Sequence, residues 1–140
     1  SEALTKNLIG TQKMVKYISA VPGAPKAVGP YSVATEANGF VFLSGQIPLD
    51  PESGQLVSGG IEQQTDRVLQ NISTVLEHPG LSFANATKTT IFLTDLAHFK
   101  TVNGIYEKWL GDNKPARSTI QVAALPLGAI VEIEMIAAKG

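Results

Sequence analysis

Ile130-Val131-Glu132-Ile133-Glu134-Met135-Ile136-Ala137-Ala138 is the stretch that decides the fold. Side chains alternate along a strand, so Val131, Ile133 and Met135 share one face, and Glu132, Glu134, Ile136 and Ala138 the other. Neither face is wholly polar. In Thr87–Leu93, rich in β-branched residues, Ile91 and Leu93 likewise oppose Phe92. Strands that are apolar on both sides read as members of a sheet covered on both sides.

The rest of the chain supplies the cover for one side. Ile61 to Glu77 is the clearest helix: Ile61, Val68 and Val75 recur every seven residues, and Leu69, Ile72 and Leu76 widen the stripe. Pro79-Gly80 ends it. Asp95 is a good N-cap for a second helix whose apolar face is Leu96, Phe99, Val102, Tyr106 and Trp109 or Leu110. Further strands are expected at Val15–Ser19, Tyr31–Glu36, Phe40–Gly45 and Arg117–Val122, with Asn38-Gly39 as a hairpin turn. The order is strands, helix, strand, helix, strands. It predicts an α+β single domain, a mixed sheet with two helices on one face. Residues 15–140 form that domain, and residues 1–14 read as a poorly structured N-terminal extension. That extension is either matter preceding a start at Met14 or the remnant of an organelle-targeting leader.

No element of the chain is left over for the second face. Another copy is expected to cover it in a closed homo-oligomer. The competing expectation is that the loop 46–60 folds over it.

Composition narrows the function. Of 140 residues, 11 are Lys or Arg and 12 are Asp or Glu, a net charge of −1. That leaves no electrostatic footprint for nucleic acid and no polybasic anchor. The absence of cysteine excludes a disulfide, a thiolate nucleophile and a cysteine zinc site. His78 and His98 have no second ligand at metal-binding spacing and read as solvated. No phosphate-binding glycine loop or nucleophile elbow is present. No apolar run spans a bilayer and no secretory leader is visible. Neither metal, cofactor nor membrane is expected, and nucleic acid is an unfavoured partner.

Arg117, in Lys114-Pro115-Ala116-Arg117-Ser118-Thr119, is one of two arginines. Its guanidinium can grip a carboxylate through two parallel hydrogen bonds, or make an ordinary ion pair. Glu132 and Glu134 share a half-buried face, where an unpaired charge is expensive. Either acts as a general acid/base near Arg117 or makes a structural salt bridge. Tyr31, after Gly29-Pro30, either closes over a ligand or packs at an edge. Ser44-Gly45-Gln46 either presents backbone amides to a developing charge or simply leaves the strand. Asn103, a poor helix former in mid-helix, suits a polar task or a surface position.

Five motifs in order then carry a resemblance. They are Ala24-Pro25-Lys26-Ala27-Val28-Gly29-Pro30-Tyr31-Ser32, Leu43-Ser44-Gly45-Gln46-Ile47-Pro48, Thr101-Val102-Asn103-Gly104-Ile105-Tyr106-Glu107, Pro115-Ala116-Arg117-Ser118 and Val131-Glu132-Ile133-Glu134. Across residues 15–138 the chain resembles the RidA (YjgF) family of reactive-intermediate deaminases. The resemblance implies a chorismate-mutase-like fold and a homotrimer with sites in the clefts between subunits. It implies hydrolysis of 2-imino acids, such as 2-iminopropanoate and 2-iminobutanoate, to 2-oxo acids and ammonia without a cofactor. It makes Arg117 the carboxylate clamp and Glu132 the group that orients the attacking water. Tyr31, Ser44, Gly45, Asn103 and Thr119 become substrate-binding residues. Many members carry cysteine where this chain has Thr119.

The alternatives to this enzyme are a non-catalytic module that binds a 2-oxo acid or amino acid, and a ribonuclease or translation inhibitor. The near-neutral charge counts against the last. The expected compartment is the cytoplasm, with the mitochondrial matrix as the alternative.

Overall fold

The computed structural model describes residues 14–140, so all but Met14 of the expected N-terminal extension lies outside the described residues. Strands β1 (Lys16–Ile18), β2 (Ala34–Ala37), β3 (Phe40–Gln46), β4 (Ala86–Leu93), β5 (Ala116–Gln121) and β6 (Val131–Ala138) form a six-stranded sheet in the order β1-β2-β3-β6-β4-β5. Only β4 and β5 run parallel. Helix α1 (Ile61–Glu77) connects β3 to β4, and α2 (Phe99–Leu110) connects β4 to β5. The mixed sheet with two helices matches the sequence reading.

The helix α1 runs over the residues its periodicity marks. Its Val68, Leu69, Ile72, Val75 and Leu76 are buried with Val41, Leu43, Ile91, Leu93, Val131, Ile133 and Met135. The face of β6 turned to the helices is the one carrying Val131, Ile133 and Met135. Two polar ties set how α1 sits. The Gln64 side-chain oxygen accepts from the Ile130 amide at 3.0 Å, and Trp109 Nε1 donates to Asp66 at 2.9 Å. Asn38 and Gly39 both have positive φ, 54° and 82°, as a tight turn between β2 and β3 requires.

Two local expectations are corrected. Strand β2 begins at Ala34 rather than Tyr31, because the Ser32 and Val33 carbonyls accept from the Ser44 hydroxyl (2.7 Å) and amide (3.0 Å). Those bonds tie residues 32–33 to the irregular end of β3. Asp95 does cap, accepting from the Ala97 amide at 2.9 Å, but the turn it starts is a 3₁₀ turn over Leu96–His98. Three residues per turn rotate that segment out of phase with the α2 stripe. Leu96 is accordingly 43% exposed; Phe99, in phase with the stripe but on the open first turn of α2, is 40% exposed, while Val102, Tyr106 and Leu110 are buried.

The second face is open in the single chain and mixes apolar residues with Lys88, Thr90, Ser118, Glu132 and Glu134. Phe40 and Phe42 (both 40% exposed) and Ile120 (44%) lie on it. The loop 46–60 does not take its expected alternative role over that face. Leu49 is buried, and its carbonyl accepts from Asn71 of α1 at 3.0 Å, which ties the loop to the helix layer.

Candidate active site

Arg117 lies on the edge strand β5, paired with Thr89 of β4, which pairs in turn with Met135 of β6. Residues in register share a face, so Arg117 is on the helix side of the sheet. Its guanidinium carbon is 5.1 Å from the centroid of the Tyr106 ring and 5.6 Å from that of Phe99. Among the described residues no carboxylate lies within ion-pair distance of it. It lines a hollow of about 310 Å³ with Asn103, Tyr106, Leu110, Asn113 and Pro115, and the exposed Glu107 and Lys114 also border that space. Thr119, two residues on, shares the Arg117 face and pairs with Ile91. Its hydroxyl is buried without a hydrogen-bond partner.

Glu132 occupies the other face. It pairs with Phe92 of β4, which pairs with Ile120 of β5. The carboxyl is half-buried and has no hydrogen-bond partner among the described residues. Burial, assisted by repulsion from Glu134, raises its pKa above the ordinary 4.5. Glu134 itself is exposed.

The backbone beneath Glu132 is built around its side chain. Leu43 pairs with Met135 and Gln46 with Ile133, so β3 carries one extra residue, a bulge at Ser44-Gly45. A Cβ on Gly45 would collide with Glu132 Oε2 and lie 2.9 Å from its Cδ. Gly45 is required here by close approach rather than by its own conformation. Ser44 donates its hydroxyl to the Ser32 carbonyl, which anchors the Tyr31-Ser32 segment to the same bulge. Tyr31 is 52% exposed, and its hydroxyl accepts a long hydrogen bond of 3.4 Å from the Val28 amide.

The structure thus sorts the sequence-marked residues into two groups. Arg117 and Asn103 meet in one hollow on the helix side, with Thr119 on the same strand face. Ser44, Gly45 and Glu132 meet at the bulge, with Tyr31 tethered beside it. Arg117 and Glu132 are three residues apart along the strands and two strands apart across them, roughly 14 Å between Cα positions, and on opposite faces. Within one chain they do not stand beside each other.

Sequence reasoning counted Phe99 and Tyr106 as core and missed them as the neighbours of Arg117. The available signal was two aromatic residues seven apart on one helix stripe, just before a strand bearing an isolated arginine. Among the described residues no three or more His, Asp or Glu gather to hold a metal ion. No described helix is long and apolar enough to cross a membrane.

Comparison with known proteins gives this geometry a setting. The family model described as Endoribonuclease L-PSP matches residues 22–139. Over 129 residues the chain is 50% identical to Reactive Intermediate Deaminase A, chloroplastic, of Arabidopsis thaliana, covering 92% of this chain and 69% of that protein. It is 43% identical over 127 residues to human 2-iminobutanoate/2-iminopropanoate deaminase, covering 91% and 93%. The crystal structure of E. coli TdcF with bound serine superimposes with a TM-score of 0.84 at 36% identity, covering 89% of this chain and all of that one.

Proposed function

The chain belongs to the Endoribonuclease L-PSP family, the RidA-type family its motifs resemble, and from that premise we propose that it is an enzyme hydrolysing 2-imino acids to 2-oxo acids and ammonia. The observation that carries this reading is Arg117: a permanent cation near two rings, with no described carboxylate in ion-pair distance, on the wall of a small hollow. A carboxylated small molecule supplies the missing anion.

The divided geometry supports a role for each of the other residues. Glu132 is on the other face of the sheet, which is open in a single chain and exposes Phe40, Phe42 and Ile120. Packing of copies through that face, as a homotrimer, is the arrangement that lets Arg117 of one copy and Glu132 of another address one ligand. Arg117 holds the substrate carboxylate, a charged hydrogen bond contributing about 1.5–3 kcal/mol. Asn103 and Thr119 contact the ligand from the arginine side. Tyr31, Ser44 and Gly45 shape the side of the attacking water.

Glu132 has the properties of a proton carrier. Burial weakens it as an acid, and the conjugate base is correspondingly a better proton acceptor. It takes a proton from water as the oxygen bonds to the imine carbon. It then delivers that proton to nitrogen, which gives the carbinolamine; a second transfer carries the carbinolamine hydroxyl proton to nitrogen through the same carboxylate, and the C–N bond breaks as the carbonyl forms and ammonia leaves. An imine is electrophilic enough to need no more apparatus than orientation and proton transfer.

The named activities of the Arabidopsis and human relatives support the substrate class. Serine in the TdcF structure supports a pocket for a small carboxylate. The family description speaks of an endoribonuclease, but a net charge of −1 offers little for RNA. For the compartment, the cytoplasm remains our reading and an organelle interior the alternative, since one relative is named chloroplastic.

The test is ammonia release from 2-iminopropanoate and 2-iminobutanoate generated in situ by a pyridoxal-phosphate-dependent dehydratase. Wild type is expected to accelerate release, and Arg117→Ala to lose the acceleration while light scattering still reports a trimer. Binding of 2-oxobutanoate without faster release would make the chain a binding module. Steeply salt-dependent RNA cleavage would make it a nuclease.

A further inference from the structure

Arg117 has a feature that holding a carboxylate does not by itself explain. Its guanidinium lies 5.1 and 5.6 Å from two ring centroids, and one of those rings is fastened. The Tyr106 hydroxyl and Thr89 Oγ1 are 2.8 Å apart, in a buried hydrogen bond. Thr89 is 1% exposed and Tyr106 8%. Thr89 is also the cross-strand partner of Arg117 in the parallel β4–β5 pair. The three residues therefore close a triangle: sheet register joins Thr89 to Arg117, a hydroxyl bond joins Thr89 to Tyr106, and the ring of Tyr106 meets the guanidinium.

We propose that Thr89 and Tyr106 form a brace that sets the orientation of the Arg117 guanidinium, which makes both positioning residues for the carboxylate clamp. This rests on the clamp role given to Arg117 above. Tyr106 is fixed at its base by α2 and at its tip by Thr89, so its ring is not free to swing away. Phe99 and Tyr106 are seven residues apart on one helical run, roughly 10 Å along its axis. Two ring contacts of 5.1 and 5.6 Å fit a guanidinium seated between them. Rings attract a guanidinium through its flat faces, leaving the in-plane N–H donors for a ligand. A long side chain on an edge strand would otherwise lose rotamer freedom when it binds, and the brace removes that loss beforehand. Burial raises the pKa of the Tyr106 hydroxyl, against smaller opposing effects of Thr89 and Arg117, which keeps it a neutral partner for Thr89 at physiological pH.

The experiment compares Thr89→Val, Tyr106→Phe and Thr89→Ser in the full chain, each alone and combined with Arg117→Ala. Calorimetry with 2-oxobutanoate gives affinity, and the ¹⁵N-detected Arg117 Nε–Hε resonance, identified by its loss in Arg117→Ala, reports the side chain directly. Thr89→Val and Tyr106→Phe should each weaken binding about three- to tenfold and shift that resonance, while Thr89→Ser, which keeps the hydroxyl, stays close to wild type. In the Arg117→Ala background the same changes should cost nothing further. A purely structural pair would instead leave affinity and resonance unmoved, or weaken binding equally with and without Arg117; either overturns the brace. Should Thr89→Val fail to fold, Tyr106→Phe carries the same comparison. Should wild type not bind 2-oxobutanoate, the functional reading fails on its own, and the resonance alone decides the brace.

Discussion

Gly45→Ala should separate activity from stability. In most strands this change is mild or helpful, since it stiffens the unfolded chain by about 0.4–1 kcal/mol. Gly45 does not have positive φ, so the backbone can accept a side chain. What it meets is the Glu132 side chain: the new methyl would overlap Oε2 and sit 2.9 Å from Cδ and 3.1 Å from Cγ. These atoms lie at the far end of a rotatable side chain, and Glu132 will turn aside before the sheet deforms. Displacement by an ångström or so removes a proton-transfer group from its place, which predicts a loss of about 10²-fold in kcat/KM. Urea unfolding of the variant should give a midpoint equal to or above wild type. The coupled imine assay should show the activity loss, and Glu132→Ala with Gly45→Ala should be no worse than Glu132→Ala alone. A Gly45→Ala enzyme with wild-type kcat/KM would refute the placement of Glu132 at the reacting atoms. So would a loss fully additive with that of Glu132→Ala.

Two further outcomes follow from the same geometry. Because the folded pKa of Glu132 is raised, the native state holds more protons than the unfolded state above pH 4.5; stability should therefore fall as pH rises from there through the raised value. Glu132→Gln should flatten that part of the urea-midpoint profile, and in wild type the rising limb of kcat/KM should lie above the ordinary carboxylate range. If sites form between copies, Arg117→Ala and Glu132→Ala chains, each inactive, should regain about a quarter of wild-type activity when unfolded and refolded together in equal amounts, the fraction of clefts receiving both intact residues. Activity that stays at background after mixed trimers are demonstrated would place both residues in a single-chain site.

Much of the fold was legible because its signals were local. The helix α1 was read residue for residue, since its apolar period is unbroken and Pro79-Gly80 stops it. The Asn38-Gly39 turn announced the β2–β3 hairpin, and the alternation of β6 told which of its residues share a face. Arg117 and Glu132 stood out one at a time, by charge in weakly charged surroundings. Their mutual placement did not, because the face a residue takes depends on its register with other strands. Arg117 pairs with Thr89, and Glu132 with Phe92, one odd step out of phase along β4. An offset of that kind leaves no trace in either strand's own sequence. The role of Gly45 was hidden similarly, since its need for glycine comes from Glu132, 87 positions away.

The proposed division of the site between copies accounts for three features that are unfavourable in a single chain. A single chain holds a half-buried carboxyl without a donor, a buried threonine hydroxyl without a partner at Thr119, and phenylalanines exposed on an open sheet face. Each is costly alone, as an unsatisfied polar group or as wetted apolar surface. They concern the two residue groups and the face between them. If a second copy and a small anion complete all three together, assembly and activity become the same event. An isolated subunit would then be neither stable nor able to act on its substrate.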